Sequence, residues 1–146
     1  MYFVDRKKIE HILECLEQVI ENFQEKEAYT NTLEKYALER MAHLTIDCVL
    51  DVGNAMIDGF IMRDPGSYED IIEILIDEKV VDAAEGEKLK EVVRLRKMLV
   101  QDYMYVQHEQ VFKTMKANLE TIKVYPSRIR RYLEQELGPV SAFTNS

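Results

Sequence analysis

Leu89, Val92, Arg96, Leu99, Tyr103 and Val106 recur at three- and four-residue intervals, so in a helix they share one stripe. All are apolar or aromatic except Arg96. A guanidinium is a permanent cation whose planar fork of N–H donors fits carboxylate or phosphate oxygens. Tyr103 follows two turns later, about 10 Å along a helix axis, and the spacing aims both side chains the same way. Lys97 and Gln101, four residues apart, form a polar pair beside them. Two readings of Arg96 stay open. It can make a buried ion pair, since a buried charge needs a partner, or it can form an anion site. The segment before residue 61 offers partners, because Arg40, Leu44, Asp47, Asp51, Asn54 and Asp58 make a stripe too polar for pure core. That stripe either faces solvent or builds a site, with Asp47 and Asp51 as its supporting carboxylates.

His43 with Asp47, and His11 with Cys15, have the four-residue spacing of two metal ligands on a helix face. Neither has a completing pair, so solvated or core side chains are the preferred reading and no metal site is expected. There is no glycine-rich phosphate loop, Ser-centred elbow or paired zinc signature, and no cofactor is expected. Cys15 and Cys48 sit in apolar-periodic segments without C-x-x-C spacing. They read as small buried hydrophobes in a reducing compartment, with a disulfide left open.

The elements that must position these residues are helical. With 47% hydrophobic and 32% charged residues and few Gly or Pro, the 146-residue chain suits long amphipathic helices in a single domain. A first helix is predicted over residues 5–27, its stripe formed by Ile9, Ile12, Leu13, Leu16, Val19, Ile20 and Phe23. A second runs over residues 33–61 and ends at the turn Asp64-Pro65-Gly66-Ser67. Ser67 with Asp70, and Asp82 with Glu85, resemble capping boxes opening a short third helix, ending near Lys79, and a fourth reaching Tyr105. A fifth begins near His108. Pro126 should kink or break it, leaving a C-terminal helix through Leu137 before Gly138-Pro139. The fold expected is all-α, an up-down bundle with a short cross helix and a C-terminal helix after Pro126. Residues 1–137 form the domain and 138–146 a tail.

Net charge is −8, which argues against a surface given over to nucleic acid, but the charge is uneven. Residues 88–131 hold eleven Lys or Arg against four Asp or Glu, a balance of +7, and the rest of the chain carries −15. That segment could meet phosphate, or it could pair with acidic residues on neighbouring helices. No apolar run approaches the roughly 18 residues of a membrane span, and a cytoplasmic protein is expected.

The run Arg96-Lys97-Met98-Leu99-Val100-Gln101-Asp102-Tyr103 resembles the signature of the HepT-like toxins of the HEPN superfamily, in which Arg and usually Asn precede Leu-Val-His-x-Tyr. Ala37-Leu38-Glu39-Arg40 and Asp51-Val52-Gly53-Asn54 resemble the family's second-helix pattern. Pro65-Gly66-Ser67-Tyr68 resembles its link to the third helix, and the likeness covers residues 5–136. The resemblance implies a HEPN-type bundle forming a homodimer, with Arg and His of both subunits lining a cleft that cuts RNA without metal. In such chemistry His moves protons at the ribose 2′-hydroxyl and leaving oxygen, while Arg stabilises charge on the scissile phosphate. Arg96 retains its role. The resemblance also implies a nucleotidyltransferase antitoxin that adds AMP to the motif tyrosine, here Tyr103.

This sequence departs from the pattern at the catalytic His, which is Gln101. An amide hydrogen-bonds but exchanges no proton near neutral pH. Lys97 stands where Asn is usual, and Ala55 where many relatives carry His. The departures predict a degenerate motif that binds RNA or an antitoxin through a dimer cleft with little or no cleavage. An active ribonuclease toxin is the alternative, and a plain helical interaction module the second. His108 and His43 are weaker candidates for a compensating role.

Overall fold

A computed structural model describes residues 2–139. The elements in order are α1 (Arg6–Phe23), α2 (Thr32–Gly59), α3 (Tyr68–Asp77), α4 (Ala83–Val93), a π-helical turn (Lys97–Gln101), a 3-10 turn (Tyr103–Tyr105), α5 (His108–Ala117) and α6 (Leu119–Leu137). No strand occurs among the described residues. The architecture is the expected all-α bundle. The proposed tail lies outside the described residues from position 140 onward.

Local chemistry sets the helix starts. Asp5 accepts the Lys8 amide, and Asn31 with Glu34 forms a full capping box. Lys26 and the amides of Thr30 and Asn31 hold the Glu34 carboxyl well down, to about 2. Asp82 with Glu85 forms the box predicted for α4. At α3 only half of the box exists. Ser67 accepts the Asp70 amide, but the Asp70 carboxylate turns to the Gly66 amide at 2.8 Å and to Arg63.

Packing follows the apolar stripes. α1 lies along α2 through Ile9, Leu13, Leu16 and Phe23, and α2 also meets α3 and α5. α6 covers α1 and α4, and its Tyr125, buried at 1% exposure, donates to the Val49 carbonyl of α2 at 2.9 Å. A glycine makes the α2–α3 crossing possible: a Cβ at Gly53 would lie 2.5 Å from Ile71 Cγ2.

Two expected boundaries are corrected. α6 does not begin after Pro126, which lies inside it; the break falls at Asn118. Proline removes one amide donor, but Ile122, Tyr125, Pro126, Ile129 and Leu133 are all buried on the same stretch, and that burial holds the helix through it. Asn118 departs from helical geometry, and its side-chain amide donates to the Thr114 carbonyl at 2.9 Å and to Glu91 at 3.1 Å. The break thus has its polar groups satisfied. α4 likewise does not run unbroken to Tyr105. After Val93 the backbone turns at Arg94 and widens, so that the Asp102 amide bonds to the Lys97 carbonyl five residues back, at 3.0 Å.

Candidate functional site

Arg96 sits between α4 and the π-turn, where the chain crosses the N-terminus of α3. Three arginines converge on the first turn of α3, and each takes a different residue there. Arg63 makes two hydrogen bonds to Asp70, at 2.8 and 2.9 Å. Arg94 donates to Glu69 at 2.9 Å. Arg96 lies over the Tyr68 ring, its guanidinium carbon 4.3 Å from the centroid. The two carboxylates nearest in sequence to that ring are therefore already engaged by other arginines, and Arg96 is left charged without a counter-charge.

The expectation of a buried ion pair between Arg96 and an acid of α2 is not met. Among the described residues Arg96 makes no ion pair, and its Nε is the buried side-chain nitrogen that lacks a hydrogen-bond partner. Asp47 and Asp51 lie elsewhere. They line a groove between α1 and α2 with Lys7, Lys8 and His11, and Asp47 pairs with His43 at 3.2 Å. The structure does not bring either carboxylate to Arg96.

The π-turn rearranges the rest of the motif. A wide turn puts residues five apart in register, so Lys97 meets Asp102 at 3.6 Å rather than pairing with Gln101. Gln101, the last residue of the turn, is exposed. Asp102 leaves helical geometry at φ −96° and ψ 39°, which ends the simple relation that would place Tyr103 two α-turns above Arg96. Tyr103, Met104 and Tyr105 then form a 3-10 turn with 65%, 72% and 75% of their surfaces exposed. The Met98 sulfur accepts the Gln107 amide at 3.1 Å and ties the far end of this turn back to the motif.

Neither His43 nor His108 is placed to replace a motif histidine. His108 faces Glu39 of α2 at 2.6 Å, where it pins the start of α5, and His43 faces Asp47. Among the described residues no group of three His, Cys, Asp or Glu side chains could hold a metal ion.

The basic segment is mostly neutralised. Lys90 pairs with Glu73, Arg94 with Glu69, Lys116 with Glu27, Arg128 with Glu85, and Arg130 with both Glu10 and Glu17. Lys97, Lys113 and Lys123 pair within their own segments. The pairing reading of the +7 stretch thus describes eight of its eleven cations; of the rest, Lys88 and Arg131 are exposed and Arg96 alone of the three is half-buried. Sequence reasoning missed Tyr68 as a partner of Arg96. The available signal was an aromatic just after a helix cap, on a solvent-facing position.

The small α-helical bundle, with its arginine motif opening an irregular turn after the fourth helix, shares the fold of a solved HEPN toxin. Residues 9–129 match the family model described as "Ribonuclease HepT-like", and the chain belongs to that family. It is 50% identical over 143 residues to the Bacillus subtilis (strain 168) protein named "Putative RNase YutE", covering 98% of this chain and 99% of that one. The solved structure of YutE, described as a cytosolic protein, superposes with a TM-score of 0.95 over 98% of this chain and all of the other. A tri-AMPylated Shewanella oneidensis HEPN toxin in complex with an MNT antitoxin shares the fold at 16% identity and TM-score 0.72, over 90% of this chain and 99% of that one. A toxin–antitoxin structure with AMP-PNP does so at 14% identity and TM-score 0.72, over 85% and 96%. No helix among the described residues is long and apolar enough to cross a membrane.

Proposed function

We propose that this chain is an RNA-binding HepT-like protein whose Arg96 engages a phosphate, and whose cleavage chemistry is disabled at Gln101. The observation that carries this reading is the uncommitted guanidinium of Arg96, which lacks an ion pair and a partner for Nε. A half-buried cation without a counter-ion gains most from an anionic ligand. Gln101 can hydrogen-bond to such a ligand but cannot act as general acid or base, a contribution of about 10²- to 10⁴-fold in rate. Arg96 with Gln101 is thus a binding pair rather than a complete catalytic one.

The test is RNA binding and RNA cleavage by wild type, Arg96→Ala and Gln101→His, in EDTA. Wild type should bind RNA without cutting it, Arg96→Ala should bind less well, and Gln101→His should cut. Cleavage by wild type that disappears in Arg96→Ala would make this an active ribonuclease. Failure of wild type to bind RNA would leave a helical interaction module.

A second reading rests on Tyr103. Its ring is 65% exposed on a 3-10 turn, so the hydroxyl is open to a nucleotidyltransferase antitoxin as an AMP acceptor. Incubation with such an enzyme and ATP should add one AMP mass to wild type and none to Tyr103→Phe. Two copies would juxtapose their Arg96 motifs in a shared cleft. Light scattering that finds a strict monomer at high concentration would remove that arrangement.

A further inference from the structure

We infer that Tyr68 is the positioning residue of Arg96: its ring holds the guanidinium over its face so that the terminal N–H groups, unlike the buried Nε, stay available to a phosphate. The inference rests on the RNA reading above and deepens it. An arginine at a surface loses considerable rotamer freedom when a ligand fixes it. Something in the free protein must therefore hold the side chain if it is to bind well. A carboxylate would do so, but it would occupy the N–H donors and cancel the charge. An aromatic face attracts the cation through its quadrupole and leaves the in-plane donors free.

The first turn of α3 provides both kinds of partner and distributes them unequally. Glu69 takes Arg94 and Asp70 takes Arg63, two ion pairs that brace the turn. Tyr68, between the Ser67 cap and those carboxylates, receives Arg96 at 4.3 Å. Half of the Tyr68 surface is exposed, so its ring is not part of the core.

The experiment compares Tyr68→Phe, Tyr68→Leu, Arg96→Ala and the double variant Tyr68→Leu/Arg96→Ala, with thermal melts as a folding check. Binding is read by fluorescence anisotropy with a mixed-sequence single-stranded oligoribonucleotide. Tyr68→Phe keeps the ring and should bind as wild type does. Tyr68→Leu should weaken binding about 2- to 5-fold, the range a surface cation–π contact supplies. In the Arg96→Ala background the same change should have no effect, because Tyr68 acts through Arg96. A second readout needs no RNA: the Arg96 side-chain protons should show an upfield ring-current shift in wild type and Tyr68→Phe that Tyr68→Leu abolishes. Unchanged Arg96 resonances in Tyr68→Leu, or equal weakening with and without Arg96, would overturn the inference. If the ring-current shift behaves as expected while Arg96→Ala leaves RNA binding intact, Tyr68 still positions Arg96 and it is the RNA reading that fails.

Discussion

Gly53→Ala probes whether the close crossing of α2 and α3 is what aims the Arg96 site. The new methyl would be placed 2.5 Å from Ile71 Cγ2, where carbon atoms normally rest about 3.5–4.0 Å apart. The helices must separate by about an ångström, or Ile71 must leave its rotamer. Ile71 is β-branched and 3% exposed, so its γ2 methyl has nowhere to swing. Overpacking of this kind costs about 1–3 kcal/mol. Alanine recovers about 1 kcal/mol of helix propensity over glycine. The net expectation is a destabilisation of about 1 kcal/mol, which for a chain of this size lowers Tm by about 2–4 °C. Ile71 lies one turn after Tyr68 on α3, so the same displacement shifts the ring under Arg96, and RNA affinity should fall with stability. Gly86→Ala is the companion case. Its methyl would meet Ile76 Cδ1 at 2.3 Å and Cγ1 at 2.4 Å, a clash that also requires a shift, but Ile76 is only half-buried and part of it can be relieved toward solvent, so that variant should cost less stability than Gly53→Ala and leave RNA affinity unchanged. The assay is thermal and urea unfolding of both variants, with Ile71→Ala added to Gly53→Ala. Removing the Ile71 methyls should make the double variant more stable than the sum of the single effects requires. A Gly53→Ala protein as stable as wild type, or strict additivity with Ile71→Ala, would refute the reasoning.

Burial pushes the Cys48 thiol up to about 12, with Cys15 beside it and the Asp47 and Asp51 charges contributing. At mildly alkaline pH Cys15, which is exposed, should alkylate readily while Cys48 reacts only after denaturation, and mass spectrometry of the labelled native protein checks this. The Asp70 carboxyl is held down to about 2 by Arg63 and the Gly66 amide. Its folded value lies below its unfolded value of about 3.9, so the brace contributes stability above that pH and loses it as pH falls toward about 2. Acid melts of wild type should steepen in that window, and Asp70→Asn should flatten the response. Asn118→Ala removes two donated hydrogen bonds at the α5–α6 break and should cost about 1–2 kcal/mol in urea unfolding, whereas Asn118→Asp should not rescue it, since a carboxylate cannot donate to Glu91 or to a carbonyl.

Most of the fold was legible because it follows from local rules. The stripes of α1 and α2 have helical period, and the cap at Asp82 is built by residues three apart. What was not legible depends on partners distant in sequence. Pro126 looks like a break only if one ignores that its neighbours are buried against α1 and α4, whereas the break at Asn118 depends on Glu91, which no pattern near residue 118 reveals. The π-turn has no glycine or proline to announce it, and the period of Leu89, Val92, Leu99 and Val106 remains that of an α-helix.

The site divides along the same line. Arg96 was found as a residue type out of place on its stripe, Tyr103 as a member of that stripe, and Gln101 through the motif resemblance, while the second-helix stripe supplied the wrong partner. Carboxylates on α2 are the natural counter-ions in a linear reading, because Asp47 and Asp51 are the acids nearest a core face. In three dimensions the acids that matter are Glu69 and Asp70, and they matter because Arg94 and Arg63 already hold them. The charge on Arg96 therefore survives folding for a reason located on another helix: its possible partners are satisfied first, and the place left over is an aromatic face. A cation kept in that way is available to a ligand, whereas the eight neighbouring cations of residues 88–131 that have carboxylate partners are not, and so the local balance of +7 overstates the nucleic-acid face; of the three cations without such a partner among the described residues, Lys88 and Arg131 are exposed side chains on helix surfaces, and Arg96 is the half-buried one seated on an aromatic face.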